Sequence, residues 1–192
     1  MRTIVFATNN AHKMSEVANI LNSNIHLLSL KELGFEGDIP ETMDTIEGNA
    51  LQKARFIWDK FGVDCVADDT GLEVEALDGA PGVFSARYAG NECIAENNMQ
   101  KLLSELSGVT NRTARFKTVA ALIVNGEEHL FEGIVDGTIL TSKQGEDGFG
   151  YDPIFQPLGY TASYAEMPFE LKNSISHRGL AFRLLAEYFE HE

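Results

Sequence analysis

Short apolar runs and amphipathic segments alternate from the first residues of the chain. The run TIVFA at 3–7 is apolar and partly β-branched, which predicts a buried first strand. The next segment predicts a helix, because apolar residues recur there at i, i+3, i+4 and i+7 and so share one face. These residues are Met14, Val17, Ala18 and Leu21.

Two further helical patterns enclose another apolar run. A helix is predicted over about 45–60, and its core-facing residues are Ile46, Ala50, Ala54, Ile57, Trp58 and Phe61. A short buried strand at 63–67 follows and is expected to end at the pair Asp68-Asp69. A third helix is predicted over about 93–106, with a core face of Ala95, Met99, Leu102, Leu103 and Leu106.

The segment 114–136 alternates apolar and other residues and contains Asn125-Gly126, which favours a β-hairpin. The return strand is predicted at 129–135, and one more strand at 137–140. The last helix is expected to begin near Ser176 and to bury Ala181, Leu184, Leu185 and Tyr188. Helices interleaved with strands, together with a hairpin, predict an α/β fold with a mixed β-sheet and flanking helices. No linker separates independent domains, so residues 1–192 are expected to form a single domain, with the hairpin region as a second lobe.

Composition and charge narrow the function classes. A hydrophobic content of 44% and a charged content of 23% are ordinary for a soluble globular protein. A net charge of −14 argues against nucleic acid and membrane surfaces as partners, but a local basic cluster or a metal can still bind one small anion. The chain has neither a signal-peptide pattern nor a long apolar span, so a cytoplasmic location is expected. Cys65 and Cys93 lack metal-site spacing and are expected to be reduced thiols.

The segment TNNAHK at 8–13 lies between the first strand and the first helix. The N-terminus of a helix presents unpaired N–H groups and a positive dipole end, and both favour phosphate. Thr8, Asn9 and Asn10 add polar side chains, and Lys13 adds a full positive charge. The competing interpretation is that an Asn caps the helix and the lysine is solvated.

Acidic residues supply a candidate metal site. Asp68 and Asp69 follow a buried strand, where ligands gather in α/β sheets, and Glu41 precedes the second helix. Mg²⁺ prefers a few carboxylate oxygens together with water and phosphate oxygens. Glu47 is a competing ligand, and the sequence Asp-Asp-Thr-Gly is also typical of a turn.

Two later stretches carry further candidates. In GFGYDP at 148–153, glycines on both sides of Phe149 allow close approach of a ligand, and an aromatic ring offers a stacking face for a base. In ELKNSISHR at 170–178, Lys172, His177 and Arg178 supply donors for a carbonyl or a phosphate. An aromatic plug in the core and an ordinary basic helix start are the alternatives.

These stretches, in this order, closely resemble the inosine/xanthosine triphosphate pyrophosphatase family. The matching pieces are TNNAHK at 8–13, Glu41 with EGNALQKAR, ADDTGLEV at 67–74, GAPGVFSARYAG at 79–90, DGFGYDPIF at 147–155 and SISHRG at 174–179. They span nearly the whole chain. The resemblance implies two lobes around a central active-site cleft, a homodimer, and Mg²⁺-dependent hydrolysis of aberrant purine triphosphates such as ITP, dITP and XTP to the monophosphate and pyrophosphate.

The resemblance also assigns roles to residues. Asp69 matches the catalytic base and magnesium ligand, Glu41 matches a second metal-associated acid, and the adjacent Asp68 is a further catalytic candidate. Thr70 stands where the family often has serine and keeps its hydroxyl. The substrate-binding matches are Thr8, Asn9, Asn10, Lys13, Thr70, Phe149, Gly150, Tyr151, Asp152, Lys172, His177 and Arg178. No role is assigned to Arg87 or to the rest of GAPGVFSARYAG.

Two alternatives to this function remain. A pyrophosphatase or phosphatase of broader specificity would turn over several modified bases at comparable rates. A nucleotide sensor would bind triphosphate without turnover, although carboxylates beside a phosphate disfavour a mere binder unless a metal is present.

Overall fold

The computed structural model describes residues 2–21 and 25–191, which form helices packed on a mixed β-sheet. The α-helices of this part of the chain are Ala11–Ala18 (α1), Ile46–Phe61 (α2), Ala95–Glu105 (α3), Phe169–Ile175 (α4) and His177–Glu190 (α5). The strands are Arg2–Phe6 (β1), Ile25–Ser29 (β2), Cys65–Val74 (β3), Pro81–Gly82 (β4), Thr113–Val124 (β5), Glu127–Ile139 (β6) and Phe155–Pro157 (β7). The predicted α/β class is therefore confirmed.

The sheet combines parallel and antiparallel pairs in the order β2-β1-β3-β5-β6-β7, and β4 pairs with β3. Strand β1 is parallel to β2 and to β3, where Val5 pairs with Cys65 and Phe6 with Val66. Strand β3 is antiparallel to β4, and β6 is antiparallel to β7. The acidic pair thus lies just beyond the point where β1 stops pairing with β3.

The chain divides into two compact units, each with its own core. The first comprises the described residues within 1–69, 118–133 and 177–192, and the second comprises residues 70–117 and 134–176. The core of the first unit includes Ile4, Phe6, Val66, Leu122, Phe182 and Leu185. The core of the second unit includes Leu72, Leu102, Phe116, Ile154, Phe155 and Tyr164. Two units agree with the expected two lobes, but the hairpin at 118–133 belongs to the first unit, so the expectation that the hairpin region forms the second lobe is wrong. The cleft and the single domain stay predictions.

The predicted hairpin is present and is longer than expected. Asn125 and Gly126 both have positive φ, 52° and 83°, as a two-residue turn that matches strand twist requires. Strand β6 runs without a break to Ile139, so the separate strand at 137–140 is wrong. The reason is that Gly137 is a point of close packing and not a turn: a Cβ there would lie 2.4 Å from the carbonyl oxygen of Gln156 on β7.

The strand predicted at 63–67 is wrong in its end point. Strand β3 runs from Cys65 through Asp68 and Asp69 to Val74, so the acidic pair lies inside a strand and not in a turn. The strand continues because its second half finds a new antiparallel partner in β4, where Leu72 pairs with Gly82. A strand can hold two acids at its centre only where other groups neutralise them.

Helix faces were predicted correctly in α2 and α3 and only in part in α1 and α5. Ile46, Ala50, Ala54 and Ile57 of α2 and Met99, Leu102 and Leu106 around α3 are buried, as expected. In α1, Val17 is buried, but Ala18 is exposed and Glu16 is buried in its place. In α5, Leu184 is exposed and Phe182 is buried. Among the residues that the structure covers, no helix is long and apolar enough to cross a bilayer, and Cys65 and Cys93 are free thiols.

Candidate functional site

The segment between β1 and α1 is organised by its own polar side chains. Asn10 caps α1, because its Oδ1 accepts hydrogen bonds from the backbone N–H groups of His12 and Lys13. Thr8 Oγ1 accepts from the Asn10 N–H, and Asn9 Nδ2 donates to the Gly37 carbonyl at 3.0 Å. Asn10 therefore has the capping role that sequence reasoning offered as the alternative to phosphate binding.

Lys13 is not simply solvated. Its ammonium lies 3.0 Å from Asp68 Oδ1, and its side chain is 16% exposed. Burial lowers the pKa of Lys13 below its ordinary value, although Asp68 opposes this shift. A lysine held at the start of a helix, with only part of its hydration, can donate to an incoming anion.

Asp68 is completely buried between two cations. Its Oδ1 accepts from Lys13 and its Oδ2 accepts from Arg178 Nε at 3.0 Å. Burial alone would raise the pKa of Asp68, but the charges of Lys13 and Arg178 outweigh it and hold this pKa well below the usual range. Asp68 is therefore ionised and committed to its partners, which makes it a poor proton acceptor.

Arg178 joins Asp68 to a second buried carboxylate. Its Nη1 donates to Glu16 on α1, so the guanidinium connects α5, β3 and α1 within the first unit. Burial would lower the pKa of Arg178, but Asp68 and Glu16 together raise it. Sequence reasoning predicted Arg178 as a ligand contact, and the structure adds a structural pairing through two of its nitrogens.

Lys53 on α2 is the centre of a second group of charges. Its buried ammonium forms a short hydrogen bond with Glu41 Oε1 and lies 3.5 Å from Asp69 Oδ1. Burial would lower the pKa of Lys53, but Asp69 and Glu41 raise it overall. The two acids predicted as metal ligands thus converge on one lysine, whereas Glu47 lies in the first turn of α2.

The face of α2 that carries Lys53 also fixes the segment that carries Glu41. Asn49 Oδ1 accepts from the Met43 N–H, and Gln52 exchanges two hydrogen bonds with Thr42. Asn49, Gln52 and Lys53 lie three and four residues apart and so project from one side of the helix. These hydrogen bonds hold the segment next to Glu41 against α2, in addition to the contact between Glu41 and Lys53.

Asp69 differs from its neighbour Asp68 in its surroundings. Its Oδ2 is buried and has no hydrogen-bond partner within residues 2–21 and 25–191. Burial raises the pKa of Asp69, and the negative charges of Glu41 and Asp68 raise it further against the opposing effect of Lys53. A buried carboxylate oxygen without a partner has a strong need for a proton or a cation.

These residues fit a magnesium ion, although the protein alone does not complete its shell. In the described part of the chain no three His, Cys, Asp or Glu side chains are grouped to hold a metal. Mg²⁺ commonly takes one or two carboxylates and fills its remaining positions with water and phosphate oxygens. Asp69 Oδ2 and the nearby Glu41 supply carboxylate oxygens of that kind.

In the second unit, the turn at 148–152 is organised by Asp152. Its buried Oδ2 accepts from the Phe149 N–H at 2.8 Å and from Lys172 Nζ at 2.7 Å. The Lys172 ammonium also lies 4.9 Å from the centre of the Phe149 ring. Gly148 is required here, because its φ is +79° and a Cβ would lie 2.2 Å from Asp152 Oδ2. The structure therefore brings Phe149, Asp152 and Lys172 together, and their contact with a substrate stays a prediction.

The other predicted site residues lie outside the groups of contacts described above. Tyr151 is 5% exposed, its ring belongs to the hydrophobic core of the second unit, and its hydroxyl donates to the Ser85 carbonyl. Thr70 follows Asp69 in β3, Gly150 has a positive φ of 64° in the turn, and His177 is buried at the start of α5. Tyr151 is thus a core aromatic, which sequence reasoning gave as the alternative to a stacking residue.

Sequence reasoning missed Lys53 and Glu16. Both are charged residues on a helix face whose other members are apolar: Lys53 lies between Ala50 and Ile57, and Glu16 adjoins Val17. A charge in such a position is buried only with a partner. The helical period was therefore a signal for both residues, but it does not identify the partner.

The sequence is similar along nearly its whole length to known proteins. The model of the Ham1 family matches residues 4–188. A dITP/XTP pyrophosphatase of Flavobacterium psychrophilum is 54% identical over 187 residues, which cover 97% of this chain and 98% of that protein. A dITP/XTP pyrophosphatase of Porphyromonas gingivalis is 53% identical over 189 residues, which cover 98% and 97% of the two chains.

Solved structures extend the similarity to the fold. The Ham1 protein of Staphylococcus aureus superimposes with a TM-score of 0.90 at 39% identity and 99% coverage of both chains. A HAM1 protein of Coxiella burnetii superimposes with a TM-score of 0.92 at 36% identity and full coverage of both. The charged residues around Asp68 and Asp69 therefore lie in a fold shared along its whole length with these proteins, and the chain belongs to the Ham1 family.

Proposed function

We propose that this protein hydrolyses aberrant purine nucleoside triphosphates, namely dITP, ITP and XTP, to the monophosphate and pyrophosphate. Relatives with the name dITP/XTP pyrophosphatase, about half identical over nearly the whole chain, support the activity and its substrates. The single observation that carries the chemistry is the buried Oδ2 of Asp69, a carboxylate oxygen without a hydrogen bond among the described residues, in a side chain influenced by the charges of Lys53 and Lys13. Removal of such triphosphates cleanses the nucleotide pool.

The cations of the first unit bind the triphosphate. Lys13 lies at the start of α1 and keeps part of its surface exposed, so its ammonium reaches phosphate oxygens while Asp68 fixes its position. The capping of α1 by Asn10 occupies the N–H groups of His12 and Lys13, so the charge of Lys13 carries more of this binding than the helix amides do. Thr8 and Asn9 belong to the same segment between β1 and α1.

Asp69 orients the attacking water and accepts its proton. A carboxylate within hydrogen-bond reach of the water is the group that this proton transfer requires. The water oxygen forms a bond to the α-phosphorus while the bond from that phosphorus to the α–β bridging oxygen breaks. Pyrophosphate leaves with the bridging oxygen, and Lys13 stabilises its charge. Asp68, with its low pKa and two partners, positions Lys13 and Arg178.

The cofactor of this reaction is Mg²⁺, which Asp69 and Glu41 would hold. When bound, the ion neutralises charge that develops on the phosphate oxygens. Lys53 contacts both acids and holds them close together before the ion and the substrate arrive.

The purine base is read by aromatic and donor groups. Phe149, held by Asp152 and backed by Lys172, offers a ring face next to a cation. The 6-oxo group of hypoxanthine or xanthine accepts a hydrogen bond from a donor at the start of α5, where His177 and Arg178 lie. Adenine presents an amino donor at that position and would leave two donors facing each other. Guanine shares the 6-oxo group, so its rejection depends on contacts to its 2-amino group.

The remaining parts of the proposal concern setting and assembly. We expect a cytoplasmic homodimer whose partners are small nucleotides, with no nucleic acid or membrane partner. The net charge of −14 supports the exclusion of polyanions. Sedimentation equilibrium tests the assembly: a mass of twice 21.2 kDa is expected, and a monomer at micromolar concentration would contradict it.

The cleavage site is tested by hydrolysis of dITP in water enriched in ¹⁸O. Attack on the α-phosphorus predicts dIMP that carries one ¹⁸O and pyrophosphate that carries none. Label in pyrophosphate would place the attack on the β-phosphorus, and orthophosphate with dIDP would mean γ-phosphate release. Either of these results would contradict the proposed reaction, and tight dITP binding without products would favour a sensor.

A further inference from the structure

The segment 79–90, GAPGVFSARYAG, has no assigned role in the reaction. One of its residues, Ser85, nevertheless makes three hydrogen bonds to other parts of the second unit. Pro81–Gly82 forms β4, and a turn of 3-10 helix follows at Ser85–Arg87. Phe84 is exposed and lies under the Arg87 guanidinium, whereas the adjacent Ser85 is buried. The side chain that faces inward in this segment is therefore a small hydroxyl.

The Ser85 hydroxyl fixes the segment to β3. Its Oγ donates to the Gly82 carbonyl at 2.6 Å and accepts from the Leu72 N–H at 2.8 Å. It thereby satisfies a buried backbone donor of β3 at Leu72, which is the residue that pairs with Gly82 of β4. Leu72 is two residues after Thr70, so Ser85 is tied to the strand that carries Asp69.

The carbonyl of Ser85 fixes the turn at 148–152. It accepts a hydrogen bond of 2.8 Å from the Tyr151 hydroxyl, whose ring is buried in the core of the second unit. Tyr151 lies between Gly150 and Asp152, and Asp152 in turn binds Phe149 and Lys172. With glycines at 148 and 150, both at positive φ, the turn has little stiffness of its own and depends on these anchors.

We propose that Ser85 is a positioning residue for base selection: through Tyr151 it sets the place of the turn that carries Phe149. The inference rests on the proposed function, because it assumes that Phe149 contacts the purine. Ser85 and Tyr151 act on the substrate only through the turn, so their loss weakens the discrimination between bases and leaves the chemistry at Asp69 intact.

The test compares Tyr151→Phe and Ser85→Ala with Tyr164→Phe. Tyr151→Phe removes one oxygen and with it the bond to Ser85, whereas Tyr164→Phe removes a buried hydroxyl from the same core and serves as the matched control. The quantity measured is kcat/KM for dITP divided by kcat/KM for dATP. We expect Tyr151→Phe to lower this ratio about fivefold, mainly through KM for dITP, as the loss of one buried hydrogen bond predicts. Tyr164→Phe should stay within twofold of the wild type.

The double variant Ser85→Ala with Tyr151→Phe shows whether the two residues affect base selectivity through one another or independently. If Ser85 acts through Tyr151, Ser85→Ala combined with Tyr151→Phe lowers the ratio less than the product of the two single effects. A Tyr151→Phe enzyme with wild-type selectivity, in a protein that does discriminate dITP from dATP, would overturn the inference alone. A wild type that releases no pyrophosphate from dITP would overturn the proposed function and this inference with it. Because Tyr151→Phe retains the buried ring, the decision does not require that Ser85→Ala folds.

Discussion

At the scale of single residues, two adjacent aspartates have opposite electrostatic states. Asp68 lies between Lys13 and Arg178, which hold its pKa well below the usual range, while burial raises the pKa of Asp69. The difference arises because alternate residues of a strand point to opposite faces. On one face, both carboxylate oxygens of Asp68 contact cations. On the other face, Oδ2 of Asp69 has no hydrogen-bond partner among the described residues.

This contrast predicts different effects for the two isosteric changes. Asp69→Asn should lower kcat for dITP at least a thousandfold and leave the thermal midpoint near that of the wild type, because it removes a charge that burial disfavours. Asp68→Asn should lower the thermal midpoint by several degrees, because Lys13 and Arg178 lose their shared anion. Calorimetry and steady-state kinetics on both variants check this. Similar activity in Asp69→Asn and the wild type would refute its assignment as the base.

Lys53 is expected to matter for both stability and activity. In Lys53→Met, Glu41 and Asp69 lose the cation between them, and removal of one partner from a buried ion pair costs about 3 kcal/mol of unfolding free energy. We also expect kcat/KM for dITP to fall at least a hundredfold, since the two proposed magnesium ligands then repel each other. Urea unfolding and kinetics give the two quantities.

Arg55→Met is the matched control for Lys53→Met. Arg55 lies on the same helix, and its ion pair with Glu128 is exposed, so its loss should cost less than about 1 kcal/mol and leave activity unchanged. If both variants behaved alike, the buried position of Lys53 would not explain its role.

At the scale of secondary-structure elements, two glycines of β6 allow close packing: Gly133 against α5 and Gly137 against β7. A Cβ on Gly133 would lie 2.0 Å from the His177 carbonyl oxygen and 2.7 Å from the Ala181 nitrogen, so only glycine lets the start of α5 pack on this strand. Because α5 begins with His177 and Arg178, the placement of these two residues depends on a strand position remote from them in sequence.

Gly133→Ala should therefore displace the start of α5. We expect a loss of about 2 kcal/mol in unfolding free energy from overpacking, and a fall in kcat/KM for dITP of at least tenfold because Arg178 shifts against Asp68. Asp136→Ala, at an exposed position on the same strand, should change neither quantity appreciably. Full activity in Gly133→Ala would mean that α5 tolerates the shift.

Periodicity and turn chemistry predicted the elements better than the site. The Asn125-Gly126 turn and the apolar faces of α2 and α3 follow from local rules and were confirmed. The course of β3 through Asp68 and Asp69 was not predicted, because it depends on β4 as a partner. Lys53 and Glu16 were missed for the same reason: each is buried by a partner distant in sequence.

At the scale of the whole molecule, negative charge outweighs positive charge, and the cations of the candidate site are paired. The net charge is −14, and Lys13, Lys53 and Arg178 each contact a carboxylate in the first unit. Such a distribution opposes a polyanion, which meets the whole surface, and tolerates a nucleotide, which meets one cluster.

The charge distribution predicts that the protein does not bind nucleic acid. Fluorescence anisotropy with a labelled 20-nucleotide single strand at 0.15 M salt should detect no binding up to about 100 μM protein, the weak end of non-specific affinity. Micromolar binding would contradict this expectation and would indicate a basic surface away from Lys13, Lys53 and Arg178.

The proposed activity is decided by pyrophosphate release from dITP, XTP, dATP and dGTP, each measured with Mg²⁺ and with EDTA. We expect rapid release from dITP and XTP that requires Mg²⁺, and rates at least a hundredfold lower with dATP and dGTP. Comparable rates on all four nucleotides would contradict the proposed base selection and favour a pyrophosphatase of broad specificity. Undiminished release in EDTA would contradict the metal site at Asp69 and Glu41.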